Sequence, residues 1–292
     1  MDERVRVLPC WVGEIEGKPL SGGLSNEIWW VKDQCGQHVV RLGQDYPFHH
    51  VFRDREAMVA RAAARAGFGP AIEYTAPGVM VTAFVGARTW SAEDVAAEPA
   101  RVARLLKSFH DRMGREVEGA AFLFWVFHVI RDYGRTLVAA GSDFADDVKR
   151  WIVLADQLEA VQIHLPIVFG HHDLLPANFL DDGTRLWLID FEYAGFGTAM
   201  FDLAGAASNA GMTQEAADEL LGTYFGQPPN RDLRRSFDAM QCASLLREAM
   251  WAMVSAIHLS APGVDYPTYA RENLARLNQS LALYQSRHGK LQ

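Results

Sequence analysis

The stretch from Pro166 to Gly197, PIVFGHHDLLPANFLDDGTRLWLIDFEYAGFG, restricts what this chain can fold into more than any other. Short β-like apolar runs alternate there with loops rich in His, Asp, Asn and Gly, inside a half of the sequence that otherwise reads as helical. His171, Asp173 and Asn178 fit the pattern H-x-D-x-x-x-x-N, and Asp190 follows twelve residues after Asn178 in the run LWLIDFE. Two polar turns whose Asp and Asn side chains only cap their own backbone would explain either half alone. Both halves at this spacing point to a catalytic loop followed by a short hairpin that returns a second carboxylate to the same place. Phosphoryl transfer from ATP needs such a layout: a carboxylate beside the acceptor hydroxyl, and an amide and a carboxylate for magnesium. Asp173, Asn178 and Asp190 are the candidates.

Upstream, EIWWVKD and HVVRLG read as a hairpin around Gly36. VFRDREAMVARAAARAG reads as a helix of about four turns stopped at Gly67. AIEYTAP and VMVTAFV form another strand pair with Pro77-Gly78 as the turn. From Ser91 onward, and again from Arg231 to Gln292, the apolar spacing is helical. The expected architecture is α+β with two lobes: residues 1–85, about five antiparallel strands and one helix, then a linker near Phe84 to Trp90, then a mainly helical lobe over 86–292. Ligand belongs in the crevice between them. The uncharged stretch from Gly119 to Ile130 is shorter than the ~20 residues of a spanning helix and reads as buried.

Charge narrows the partners. With 292 residues and a net charge of -8, the chain lacks the basic surface that phosphate-backbone binding requires, so no nucleic acid is expected, nor a membrane. Three scattered cysteines, Cys10, Cys35 and Cys242, fit neither a disulfide framework nor a zinc site, and no signal peptide is apparent, which makes a cytoplasmic location the simplest expectation. A P-loop NTPase is disfavoured because G-x-x-x-x-G-K-[ST] does not occur, and a dinucleotide fold because no G-x-G-x-x-G opens a helix. In SGGLSN, Gly22 and Gly23 permit close approach to phosphate oxygens while Ser25 and Asn26 add short polar groups; an ordinary tight turn is the alternative.

GGLSN, VVRLG around Arg41, HHDLLPANF, IDFEYAGFG and FDLA at Phe201 to Ala204 together resemble the choline/ethanolamine kinase family, within the aminoglycoside-phosphotransferase-like and protein-kinase-like group. The resemblance implies a protein-kinase-like two-lobed fold and an ATP-dependent kinase acting on the hydroxyl of a small cationic amino alcohol. It makes Asp173 the base or hydroxyl-orienting residue, Asn178 and Asp190 the Mg2+ ligands, and Asp202 a brace behind the loop. His171 becomes a structural hydrogen-bonding residue. Arg41, in place of the lysine of protein kinases, would meet the nucleotide phosphates, with Glu56 as its ion-pair partner.

For the acceptor, the resemblance points to Trp251 in CASLLREAMWAMVSAIHLS, where relatives specific for choline present two tryptophans three apart and this chain has Glu248 at the first. Asn209 likewise stands where the family often has a glutamate. Trp251 is read either as a cation-binding wall or as a core residue, Glu248 or Glu192 as the partner of a primary amine, and Tyr266 and Tyr269 as further candidates for the site. An aminoglycoside or thiamine kinase is the rival among enzymes, and a nucleotide-binding pseudokinase the rival outside them.

Overall fold

The computed structural model describes residues 1–20, 26–259 and 264–291. The chain opens with a single helical turn, α1 (Glu3–Arg6), and a five-stranded antiparallel sheet formed by β1 (Glu16–Leu20), β2 (Glu27–Lys32), β3 (Gln37–Leu42), β4 (Ile72–Ala76) and β5 (Val79–Ala83). Its order is β1-β2-β3-β5-β4, with helix α2 (Arg53–Ala66) inserted between β3 and β4. Both expected hairpins form, and Gly78 adopts the left-handed φ of 71° that its turn requires.

Strand period decides which way β3 shows its charge. His38, Val40 and Leu42 are buried on one face, where Val40 and Leu42 join Val5, Val31 and Val81 in a small core. Arg41 therefore points to the opposite face. In α2 the buried positions Glu56, Val59, Ala60, Ala63 and Ala66 recur at helical spacing and place Glu56 on the sheet side. The helix stops at Gly67, whose φ is 79° and whose N–H caps the carbonyls of Ala63 and Ala64.

After β6 (Arg88–Thr89) and α3 (Ala92–Ala97), helices α4 (Pro99–Glu116), α5 (Val126–Ala139) and α6 (Ala145–Ala160) build the large core. The remaining strands are short: β7 (Ile167–Gly170), β8 (Phe179–Asp181), β9 (Leu186–Leu188) and β10 (Gly195–Thr198). β8 and β9 form a hairpin in which Phe179 faces Leu188, and β7 pairs with β10 so that Gly170 faces Gly195. Then follow α7 (Ala199–Ala210), α8 (Gln214–Phe225), α9 (Arg231–His258) and α10 (Tyr266–His288). Helix α9 is buried nearly all round, with α5, α6, α7 and α10 packed on it. The apolar stretch from Gly119 is buried only in its second part, from Phe124 to Ile130 apart from Trp125 and His128, whereas Leu123 is exposed. No helix among the described residues is long and apolar enough to cross a membrane, and all three cysteines are free thiols.

Candidate active site

Register explains how three polar side chains meet. Because Phe179 pairs with Leu188, the residues just outside the hairpin, Asn178 and Ile189, are also opposite, and the Ile189 N–H donates to the Asn178 carbonyl at 3.1 Å. Asn178 in turn donates from Nδ2 to the Asp173 carbonyl at 2.8 Å and approaches its Oδ2 at 3.5 Å. Asp190 follows directly, in a left-handed conformation with φ of 66°. Such backbone is unfavourable for a residue with a Cβ and concentrates at functional sites.

The loop before Asp173 is held from behind. Asp202, in the first turn of α7, accepts the backbone N–H of His171 and of His172, each at 2.7 Å, and its Oδ2 also meets His110 Nε2 at 2.8 Å. Burial would raise this carboxyl, but the His110 hydrogen bond and the surrounding histidines hold it below the usual carboxylate range. His171 donates from Nε2 to the Ile189 carbonyl at 2.9 Å, so it joins the loop to the strand that leads to Asp190. Burial lowers the pKa of its imidazole, and pushes that of His172 down to about 4.

Across the cleft, Arg41 Nη1 bonds Asp190 Oδ1 at 2.9 Å, and its Nη2 bonds Glu192 Oε2 at 3.1 Å. The same guanidinium pairs with Glu56. Arg53 Nη1 then joins Glu56 Oε2 and Glu192 Oε2, both at 2.8 Å. Two cations thus hold three carboxylates, and burial together with the nearby Asp190 pushes Glu192 up to about 7 against the pull of the arginines. Glu192, one of the two carboxylates considered for a primary amine, is thus engaged by Arg41 and Arg53. Asn26 packs over Gly43, where a Cβ would stand 2.4 Å from the Asn26 Oδ1. Gly22, Gly23 and Ser25 lie outside the described residues.

The other wall of Asp173 is built by α9 and α10. Asp173 and Glu248 line one small cavity together with Leu174, Asn209 and Ser244. Asn209 donates from Nδ2 to the Leu174 carbonyl at 3.2 Å, which ties α7 to the loop. Trp251 is 8% exposed, donates from Nε1 to Tyr193 Oη at 3.0 Å, stacks on His49 and meets Tyr266 and Tyr269 edge-on. Tyr269 donates to Glu248 Oε2 at 3.3 Å. Burial raises Asp173 well above the usual carboxylate range; Arg247 opposes the rise, and Glu248, Asp190 and Glu192 add to it. Asp190 thus acts electrostatically on Asp173, and the hydrogen bonds of Asn178 join the two segments that carry them.

Reading the sequence missed Arg53, Tyr193, His49 and Arg247. Arg247 had a signal, since adjacent opposite charges interrupt the apolar run CASLLREAMWAMV. His49 had none.

Magnesium asks for hard oxygen ligands and accepts one or two from protein when phosphates supply more. Among the described residues no hydrogen bond takes the Asn178 Oδ1 or the second carboxylate oxygen of Asp190, so this donor set fits the ion.

An antiparallel sheet that carries a salt-bridged arginine, facing a helical lobe with a looped Asp, an Asn and a hairpin-borne Asp, defines the protein-kinase-like phosphotransferases. The family model for choline/ethanolamine kinase matches residues 18–213, and the chain belongs to that family. It is a small-molecule kinase. A probable ethanolamine kinase of Arabidopsis thaliana is 28% identical over 278 residues, covering 81% of this chain and 72% of its own length. Among solved structures, a choline/ethanolamine kinase family protein from Mesorhizobium loti superposes with a TM-score of 0.74 at 28% identity, over 95% of this chain and 92% of that one. The choline kinase LicA from Streptococcus pneumoniae shares the fold, with a TM-score of 0.76 at 18% identity over 96% and 98% of the two chains.

Proposed function

We propose that this kinase transfers the γ-phosphoryl group of ATP to the hydroxyl of a small amino alcohol whose nitrogen carries at least one hydrogen. The observation that carries the reading is the juxtaposition of Glu248 with Asp173: the two line one small cavity, and Glu248 acts electrostatically on Asp173. A quaternary ammonium is bound by aromatic faces. Here one expected face is replaced by a carboxylate that can accept an N–H, with Trp251 and Tyr269 left as walls.

In this reading residues 1–85 form the nucleotide-binding lobe and 86–292 the catalytic and substrate lobe. Gly22, Gly23, Ser25 and Asn26 cover the phosphates, and Arg41, held by Glu56, meets them. Asn178 and Asp190 would hold Mg2+, which supplies neutralisation of the charge on the transferring phosphate. Asp173 orients the acceptor. Its oxygen forms the new P–O bond, the bond from the γ-phosphorus to the bridging oxygen breaks, ADP leaves, and the hydroxyl proton passes to Asp173. A carboxylate held above its usual range is a better acceptor for that proton.

ADP release with Mg-ATP across ethanolamine, N-methylated ethanolamines, choline and an aminoglycoside tests the reading. Turnover is expected to fall as N–H groups are lost. Turnover of the aminoglycoside alone would overturn it.

A further inference from the structure

Arg247 is not used by the chemistry described so far. Its side chain is 2% exposed, deep in α9, and its guanidinium lies over the Tyr193 ring at 4.4 Å. Among the described residues it makes one hydrogen bond, from Nη1 to Glu248 Oε1 at 2.5 Å, and its buried Nε and Nη2 have no partner. Glu248 reaches the guanidinium only through Nη1, by its Oε1, and its Oε2 accepts from the Tyr269 hydroxyl, each oxygen keeping a lone pair for a further donor. Among the described residues no hydrogen bond joins Arg247 to Asp173, although each acts on the other electrostatically.

Two physical points follow. A buried guanidinium with two unused donors is costly unless something brought to the site completes it. An ion pair beside Asp173 also differs from a lone carboxylate. A lone carboxylate favours a cation, whereas a paired Arg and Glu present both signs and complement a molecule that carries both.

We infer that the acceptor is a zwitterion, an amino alcohol that also carries a carboxylate, with its ammonium on Glu248 and its carboxylate on Nε and Nη2 of Arg247. A planar guanidinium edge offers two parallel donors, the geometry that a carboxylate binds bidentately. Trp251, bonded to the Tyr193 that underlies Arg247, closes the apolar side. The inference rests on the amine-and-hydroxyl reading above and narrows it.

The test uses matched pairs that differ only by the carboxylate, ethanolamine against serine and 3-aminopropanol against homoserine, with the full chain and Mg-ATP. In the unsubstituted enzyme kcat/KM is expected to favour the carboxylate-bearing member by roughly 10- to 100-fold, the worth of a charged hydrogen-bonded contact. Arg247→Met is expected to erase that preference by raising KM for the amino acid, with the KM for ATP showing that the fold persists. Arg247→Lys, which keeps the charge but not the fork, should retain part of it. A preference for the decarboxylated member in both pairs, unchanged in the Lys variant, would overturn the zwitterion and leave the amino-alcohol reading intact. Turnover of neither member of either pair, with an aminoglycoside phosphorylated instead, would overturn both.

Discussion

The two sides of Asp173 are built differently. Toward the sheet, Arg41 and Arg53 are shared among Glu56, Asp190 and Glu192, with the Arg53 Nη2 left without a hydrogen bond among the described residues. Toward α9, Arg247 pairs with Glu248 alone and, among the described residues, leaves two donors buried and unpaired. A network shared among several partners fixes geometry whatever is bound, and suits the part of the reaction common to every ATP-using kinase. A lone pair with unused donors suits the part that chooses the acceptor. The sheet side is therefore expected to govern stability and nucleotide affinity, and the α9 side to govern selectivity.

Asp173→Ala gives the largest separation of the two. Turnover should fall by ~100-fold or more while Mg-ATP affinity changes little, as measured by ADP release and by titration calorimetry. Equal ADP production by the variant would remove Asp173 from the mechanism. Arg41→Met breaks the shared network. Three buried or half-buried carboxylates lose a shared counter-charge, and unfolding free energy is expected to drop by about 3–5 kcal/mol in urea titrations, with the KM for ATP rising. A variant as stable as the parent would show that Arg53 alone suffices there.

A smaller effect comes from the loop between the two sides. His172 is buried, its Nε2 has no hydrogen-bond partner among the described residues, and its pKa of about 4 lies below the ~6.5 of an unfolded histidine. The folded state resists protonation, so the contribution of this group is complete above about pH 6.5 and is lost as pH falls toward 4. Roughly 2 kcal/mol should go between about pH 7.5 and about pH 5. His172→Asn removes the titration and still tolerates the φ of 62° at that position, so its stability should depend less on pH over the same interval. Parallel pH dependences would exclude His172 as the source. Gly170→Ala adds a Cβ 2.4 Å from the His172 Nε2 and 3.0 Å from an Asp202 oxygen, and about 1–2 kcal/mol of overpacking is expected in the same assay. Unchanged stability would mean that the ring can move aside.

Much of this was readable in advance, for reasons that differ by region. The hairpins, α2 and the catalytic segment depend on local period and turn chemistry, and both the H-x-D-x-x-x-x-N loop and the Asp190 hairpin lie within about twenty residues of sequence. Strand β1 gave no such signal. EGKPL lacks alternation and holds Pro19, which only an edge position tolerates, and β1 is an edge of its sheet. The bonding of Glu192 to Arg41 and Arg53 was not legible, because nothing local says whether a carboxylate two residues after Asp190 turns toward α2 or toward α9. That choice is made by Arg41 and Arg53, about 150 and 140 residues away. Arg247 was passed over for its neighbour Glu248, because only the assembled helices show that two of the arginine's donors are left without a partner among the described residues.

The claim beneath all of this is that a small amine-bearing alcohol takes the γ-phosphoryl group at Asp173. Phosphorus NMR of the enzyme with Mg-ATP and such an acceptor tests it most directly, because it separates transfer from hydrolysis. A phosphomonoester signal growing one for one with the loss of the γ-phosphate resonance is the expected result. Growth of inorganic phosphate alone, at a rate indifferent to the acceptor, would contradict it.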